Sequence, residues 1–189
     1  MINYNNIQQS IDFYSKNGFE RIETPWLVTE ATDAITRPKD AVPYTVESKN
    51  KNLVASGEQG FLYLYMKEYL PLGKFQTVTP CFRNDPFDLT HTKYFMKNEL
   101  IITDIVNEGR LMELIGTSKE FFDNFFEGNT EVISTSDGYD IVIGGEELGS
   151  YGIRDCDFLT WIYGTGCAEP RLSRLIKKYE EKGTKNRLS

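Results

Sequence analysis

The stretch CFRNDPFDLTHTKYFMKNE, residues 81–99, holds the only histidine of the chain and decides how the fold is read. On either side of its Pro- and Asp-rich middle, Phe75 to Arg83 and Lys93 to Thr103 alternate as strands do, so the segment reads as a strand, a loop and a returning strand. Side chains alternate faces along a strand, which puts Phe95, Lys97 and Glu99 on one side and Tyr94, Met96 and Leu100 on the other. The same parity joins Cys81 to Arg83 and sends Phe82 to the opposite face. One face is then apolar and suited to a core. The other mixes an aromatic ring, cations and a carboxylate, charges that a core does not accept unpaired.

Working outward, residues 6–16 space Ile7, Ile11 and Tyr14 along one helical face before a stop at Asn17-Gly18. Phe19 to Val28 reads as a strand interrupted at Pro25, whose missing N–H marks an edge, bulge or interface position. Residues 30–52 are polar and carry prolines, the composition of a loop or lid. Leu53 to Ala55 is a short strand, and Gln59 to Leu70 has helical length and an apolar face before Pro71. Residues 110–126 are a helix rich in Phe and Leu. Tyr139 to Ile143 is a strand, Gly144-Gly145 a turn, Phe158 to Tyr163 a strand running into Gly164, and residues 170–182 the last helix. Consecutive strands are joined by loops more than by crossover helices. The fold class is therefore α+β, a mainly antiparallel sheet flanked by helices on one side, with residues 1–189 as a single domain.

A chain of 189 residues with 40% hydrophobic residues buries one sizeable core. It holds no apolar run of membrane-spanning length, and MINYNNIQQS has neither the basic nor the apolar region of a secretory leader, so a soluble cytoplasmic protein is expected. Cys81, Cys156 and Cys167 are odd in number and lack CxxC spacing, which predicts reduced thiols and neither a disulfide framework nor a zinc ribbon. The net charge of −7 is uneven: from Arg171 onward seven Lys/Arg stand against two Glu, and the residues before carry 14 basic and 26 acidic side chains, or −12. An acidic body repels phosphate backbones at long range and is no electrostatic nucleic-acid binder. The basic end reads as a terminal helix with cations near its C-terminus.

Two readings of the charged face stay open at this level, a solvated sheet surface with cross-strand ion pairs and a binding site. The residue types suit a ligand with a flat ring and a phosphate chain: Phe95 offers a stacking surface, Arg83 a planar fork, and His91 a second donor in the connecting loop. In that arrangement the segment resembles motif 2 of the class II aminoacyl-tRNA synthetases, an apolar residue, Arg, any residue and a carboxylate, then Arg or His four positions before Phe. Here it runs Phe82-Arg83-Asn84-Asp85, a loop, and His91-Thr92-Lys93-Tyr94-Phe95, with Asp85 where Glu is usual. The resemblance implies that Arg83 binds the α-phosphate of ATP, that His91 reaches the γ-phosphate, and that Phe95 stacks under adenine, with Asp85 in the same nucleotide site.

Further segments are similar to the same family in the same order. Gly18 to Pro25 (GFERIETP) resembles motif 1, whose strand and proline lie at a dimer interface, and this implies a homodimer. GTGCAEPR, residues 164–171, resembles motif 3 in a form nearest to seryl-tRNA synthetases; Gly164, Gly166 and Arg171 match, while Ala168 replaces the third glycine and Pro170 the acidic residue. It implies that Gly166 lets the backbone approach the nucleotide and that Arg171 caps adenine opposite Phe95 while meeting the phosphates. Residues 140–157, DIVIGGEELGSYGIRDCD, resemble the strand that presents a Glu to ATP-bound Mg²⁺ and is followed by Gly-x-Arg. Glu147 is the implied metal ligand, and Glu146 its rival by one register slip. Ser56-Gly57-Glu58 resembles the Thr-x-Glu loop of the seryl, threonyl, prolyl and glycyl subgroup, whose carboxylate holds the α-ammonium of the amino acid. Ser56, Glu58, Lys97 and Glu99 form the implied substrate side.

The activity implied is ATP-dependent activation of an amino acid, in which a carboxylate attacks the α-phosphorus to give an acyl-adenylate and pyrophosphate. The nucleophile is already ionised, so no general base is required. Catalysis falls to positioning and charge neutralisation by Arg83, His91, Arg171 and Mg²⁺. The 17 residues before Gly18 and 18 after Arg171 are too few for a tRNA-binding domain, so the resemblance covers a catalytic core alone, and the acceptor is a tRNA, a carrier protein or another molecule. Carrier-protein ligases of this group hold zinc with a Cys shortly before the Thr-x-Glu position; residues 53–58 contain none, and zinc is not expected. The alternative is a non-catalytic dimeric paralogue with a regulatory or accessory role, for which Asp85, Ala168 and Pro170 leave room.

Overall fold

Four helices begin at a side chain that supplies the acceptor their first turn lacks. In the computed structural model, which describes residues 1–84 and 94–186, these N-caps are Asn3, Thr29, Ser56 and Asn107. The chain order is α1 (Tyr4–Lys16), β1 (Glu20–Arg21), β2 (Leu27–Val28), α2 (Glu30–Asp33), β3 (Thr45–Val46), β4 (Lys51–Leu53), α3 (Gly57–Met66), β5 (Lys74–Phe82), β6 (Tyr94–Ile102), α4 (Glu108–Phe126), β7 (Glu131–Thr135), β8 (Gly138–Ile143), β9 (Glu146–Cys156), β10 (Leu159–Glu169) and α5 (Arg171–Asn186). A seven-stranded sheet runs β1-β5-β6-β10-β9-β8-β7, antiparallel throughout except for the parallel β1–β5 pair. No helix among the described residues is long and apolar enough to cross a membrane.

The parity read from residues 94–100 sets the two faces. Leu100 and Ile102 of β6 point to a core under α1, α4 and α5, where Ile11, Tyr14, Leu114, Phe121, Phe122 and Leu172 pack against Ile141, Tyr151 and Ile162. Ile101 points the other way, into a smaller cluster with Phe75, Trp161 and Tyr163 beneath Phe61 and Leu62 of α3. Helices therefore cover both faces. The expectation of helices on one side fails because α3 carries its own apolar pair onto the opposite face.

The core face is also less apolar than its alternation suggests. Asn98 is buried there, and its Nδ2 donates to Ser10 Oγ at 2.8 Å and Gln76 Oε1 at 3.0 Å. Gln76 Nε2 in turn donates to the Ile11 carbonyl at 3.1 Å and to Ser15 Oγ at 2.9 Å. This amide chain ties α1 to the sheet with neutral groups, although Asn98 Oδ1 is buried without a partner. Tyr94, assigned to that face, is 57% exposed because β6 starts beyond the core.

Other differences have local causes. The strand expected over Phe19 to Val28 is split around Pro25 into β1, which joins the large sheet, and β2, which joins a separate three-stranded sheet of order β2-β4-β3. The segment 30–52, read as loop or lid, forms α2 and supplies β3 and most of β4 to that small sheet. β10 continues past Gly164 to Glu169, and β7 was not foreseen, since four of its five residues are exposed and no buried alternation marks it. The Gly144-Gly145 turn is as read, with φ of +56° and +81° that glycine accepts readily.

Candidate functional site

A cavity of about 540 Å³ opens on the α3 face of the sheet, floored by β5, β6, β9 and β10 and walled by the segment from Asp33 to Pro43. The first turn of α3 presses directly on its floor: a Cβ at Gly57 would lie 3.0 Å from the Cβ of Glu99 and from side-chain atoms of Thr77 and Thr79. That closeness carries Glu58 down to the strands. Ser56 and Glu58, read as a loop, are the cap and the first turn of α3.

Glu58 is 3% exposed and both its oxygens are engaged, Oε2 by Arg154 Nη1 at 2.5 Å and Oε1 by Trp161 Nε1 at 2.6 Å. Burial pushes its carboxyl above the ordinary range, against the opposing pull of Arg154 and Trp161, while the same carboxylate helps hold Arg154 above its usual value. Arg154 also lies over the Tyr163 ring, 4.1 Å from its centroid. Beside this group, Glu99 accepts from Ser56 Oγ at 2.5 Å and from Lys97 Nζ at 2.7 Å. The four residues read as the substrate side thus meet at one floor, already paired among themselves and with Arg154.

Arg83, Phe95, Ala168 and Arg171 line the same cavity, and Arg83 Nε donates to the carbonyl of Ala55, next to Ser56, at 3.2 Å. The Arg83 guanidinium sits over Phe95, 5.1 Å from the ring centroid, so in this state the ring that was read as an adenine shelf carries an arginine. Arg171 pairs with Glu147, which lines the cavity, whereas Glu146 turns outward to Lys178. Of the two register alternatives, Glu147 is the one at the site. Asp85 and His91 lie outside the described residues. Gly166 behaves differently from its reading: a Cβ there would lie 2.9 Å from the Tyr14 ring and 3.1 Å from Asn98, so the space it spares is on the core face.

Sequence reasoning assigned no role to Arg154, Trp161, Tyr163 or Arg37. Trp161 and Tyr163 share the parity of Thr165, a signal that the strand pattern carried; Arg154 was visible only as the end of Gly-x-Arg. Arg37 lines the wall and is held by Glu30 and by Asp33, a 1% exposed carboxylate that also accepts from Asn52 Nδ2 at 2.9 Å and Gln59 Nε2 at 2.6 Å. Gln59, on α3, thus ties the wall at Asp33 to Ala55, from whose N–H it accepts at 2.7 Å.

Five cations, Arg37, Arg83, Lys97, Arg154 and Arg171, line the cavity together with the carboxylates Asp33, Asp40, Glu58 and Glu147, and Arg37, Lys97, Arg154 and Arg171 are each held by a carboxylate. A metal ion held by Glu147 would have to displace Arg171, which pairs with that carboxylate. Burial, and to a lesser degree the charge of Glu147, lifts the nearby Asp140 carboxyl above its ordinary value against a Ser150 hydrogen bond and the charge of Arg171. Among the described residues no three potential ligands converge, so such an ion would complete its shell from the ligand, the usual habit of Mg²⁺ with phosphates.

No curated protein matches the sequence. Among solved structures, the pyrrolysyl-tRNA synthetase of Desulfitobacterium hafniense is similar with a TM-score of 0.73 at 17% identity, over 93% of this chain and 69% of that one. The cytoplasmic serine-tRNA ligase of Naegleria fowleri, solved with AMP, is similar with a TM-score of 0.63 at 18% identity, over 88% of this chain, which spans 51% of that enzyme. At these identities the likeness is one of fold. Residues 1–138 match the family model of class II tRNA synthetases (D, K and N), and with that fold beneath its cavity the chain belongs to the class II tRNA synthetase family.

Proposed function

We propose that the cavity binds ATP and an amino acid and joins them as an acyl-adenylate with release of pyrophosphate. The observation that carries this reading is that Arg83 and Arg171, from segments far apart in sequence, line one cavity with Phe95, Ser56, Glu58 and Lys97. The arginines would take the phosphates, Arg83 leaving the Phe95 ring and the Ala55 carbonyl and Arg171 leaving Glu147. Phe95, freed of Arg83, would stack on adenine. The floor would hold the amino acid, its ammonium near Glu58 or Glu99 and its carboxylate toward the α-phosphorus, so that binding supplies most of the barrier lowering by orientation. Mg²⁺, held by Glu147 and the phosphates, would offset the charge that builds on pyrophosphate.

Ala168, Pro170 and the saturated Glu58 favour a second reading, a paralogue that binds nucleotide without activating an amino acid. Amino-acid-dependent ATP–pyrophosphate exchange across the twenty amino acids, with Arg83→Ala as control, separates the two. Exchange with one amino acid that Arg83→Ala abolishes supports activation. ATP binding with no exchange for any of the twenty supports the second reading. The transfer step, to a tRNA, a carrier protein or another acceptor, and a homodimer through the Gly18 to Pro25 segment belong to the same proposal. Trp26, 53% exposed beside Pro25, suits such an interface.

A further inference from the structure

Along β10 the site face carries Trp161, Tyr163 and Thr165, so simple alternation would next deliver Cys167 to the cavity. It does not. Thr165 pairs with Glu99, but Cys167 pairs with Asn98 and Ala168 with Lys97, which makes Gly166 the extra residue of a β-bulge. The bulge inverts the parity: Cys167 is buried in the core, and Ala168 and then Arg171 line the cavity. What holds the extra residue in place comes from the opposite face of the sheet. Tyr151 Oη donates to the Thr165 carbonyl at 2.6 Å, and Tyr14 Oη to the Gly166 carbonyl at 3.4 Å.

The glycines of this region are shaped around those two rings. A Cβ at Gly164 would lie 2.8 Å from the Tyr151 ring, one at Gly149 2.8 Å from the Tyr151 hydroxyl, and one at Gly166 2.9 Å from the Tyr14 ring. All three contacts are tighter than a side chain can accept unless the tyrosines move. The Gly-x-Gly pattern thus serves tyrosines packed beneath the sheet.

We propose that Tyr151, assisted by Tyr14, is a positioning residue that fixes the Gly166 bulge and so aims Ala168 and Arg171 at the nucleotide. The nucleotide part rests on the function proposed above; the positioning part does not. Without the Tyr151 hydroxyl the Thr165 carbonyl is left buried and unpaired, and recovering a partner favours a ladder without the bulge. In that ladder Cys167 would face the cavity opposite Lys97.

Tyr151→Phe in the full chain tests this in two independent ways. The first is thiol labelling with peptide mapping: Cys167 is protected in the wild type, and Tyr151→Phe is expected to make it reactive. The second is ATP affinity, expected to weaken roughly tenfold, about the worth of one buried hydrogen bond. In an Arg171→Ala background Tyr151→Phe should weaken ATP binding no further, a coupling that general loosening of the core would not produce. Cys167 equally protected in the wild type and in Tyr151→Phe overturns the proposal, whatever happens to ATP binding. A wild type that binds no ATP while Tyr151→Phe exposes Cys167 supports positioning and sinks the nucleotide reading. Should Tyr151→Phe fail to fold, Tyr14→Phe carries the same labelling test with a smaller expected rise, and unchanged protection there overturns the proposal.

Discussion

The two faces of the seven-stranded sheet solve the burial of polar groups in opposite ways. Under α1, α4 and α5 the polar residues pair with neutral groups: Gln76, Asn98 and Ser10 form a chain of amides and a hydroxyl inside an aromatic and aliphatic core, and the buried carboxylate of Glu169 accepts from Asn6 and Ser173. Under α3 they are ions, Glu58 against Arg154 and Glu99 against Lys97. Adjacent residues of one strand, Asn98 and Glu99, belong to the two regimes. A neutral network costs little to bury and holds one geometry, which suits a face whose task is to dock helices. An ionic network costs more to desolvate and responds to any charge brought near it. That responsiveness suits the face that opens on a cavity.

The largest effects should separate stability from function. On the core face, Phe122→Ala removes a fully buried ring and is expected to cost about 3–5 kcal/mol in denaturant unfolding, with nucleotide affinity of the folded fraction unchanged. On the cavity face, Arg171→Ala is expected to lower pyrophosphate exchange about 10²- to 10³-fold with little loss of stability, since its partner Glu147 is partly exposed and stays hydrated. If Phe122→Ala lost nucleotide affinity while Arg171→Ala kept it, the division of labour between the faces would be wrong.

Arg154→Ala sharpens the contrast through pH. It strands the buried Glu58 beside Glu99, and the expected cost is about 2 kcal/mol at neutral pH, below that of a fully buried pair because the Arg154 side chain is 38% exposed. Losing the cation raises the Glu58 carboxyl further in the folded state while the unfolded chain keeps its ordinary value. The deficit should therefore be smallest at acidic pH, where both states are protonated, and grow as pH rises through the folded value. Urea unfolding of the wild type and the variant at pH 5 and pH 8 measures it. A deficit that shrinks with rising pH would show that Glu58 is not the stranded charge.

Legibility in the sequence followed the range of the interaction. The alternation of Phe95, Lys97 and Glu99 against Tyr94, Met96 and Leu100 is a property of one strand, and it separated the two faces, Tyr94 being exposed rather than in the core. The motifs around Arg83, Glu147 and Arg171 are local patterns, and the three side chains do line one cavity. Lost were features made by pairing across the chain. Glu58 finds Arg154 and Trp161 about a hundred residues away, so a carboxylate read as available to an ammonium is already doubly bonded. The parity of β10 inverts at a bulge whose cause, two tyrosine hydroxyls on other elements, leaves no mark in Gly164 to Arg171 itself. The strand broken at Pro25 was half legible: the proline announced an interruption, but not that its two halves join different sheets.

The smallest effect falls where the two regimes meet, at Ser56. Its Oγ accepts from the Glu58 N–H at 3.4 Å as the cap of α3, and its hydroxyl hydrogen goes to Glu99 Oε2 at 2.5 Å. One hydroxyl thus starts the helix and steadies the floor. Ser56→Ala removes the cap acceptor and leaves Glu99 to Lys97 alone, for an expected loss of about 1 kcal/mol in thermal or urea unfolding. Ser56→Thr keeps the hydroxyl and should restore most of it. An alanine variant as stable as the wild type would mean that the cap is dispensable and that the first turn of α3 is held by the Gly57 contact with Thr77 and Thr79. The position of Glu58 would then depend on packing rather than on the polar network of the cavity floor.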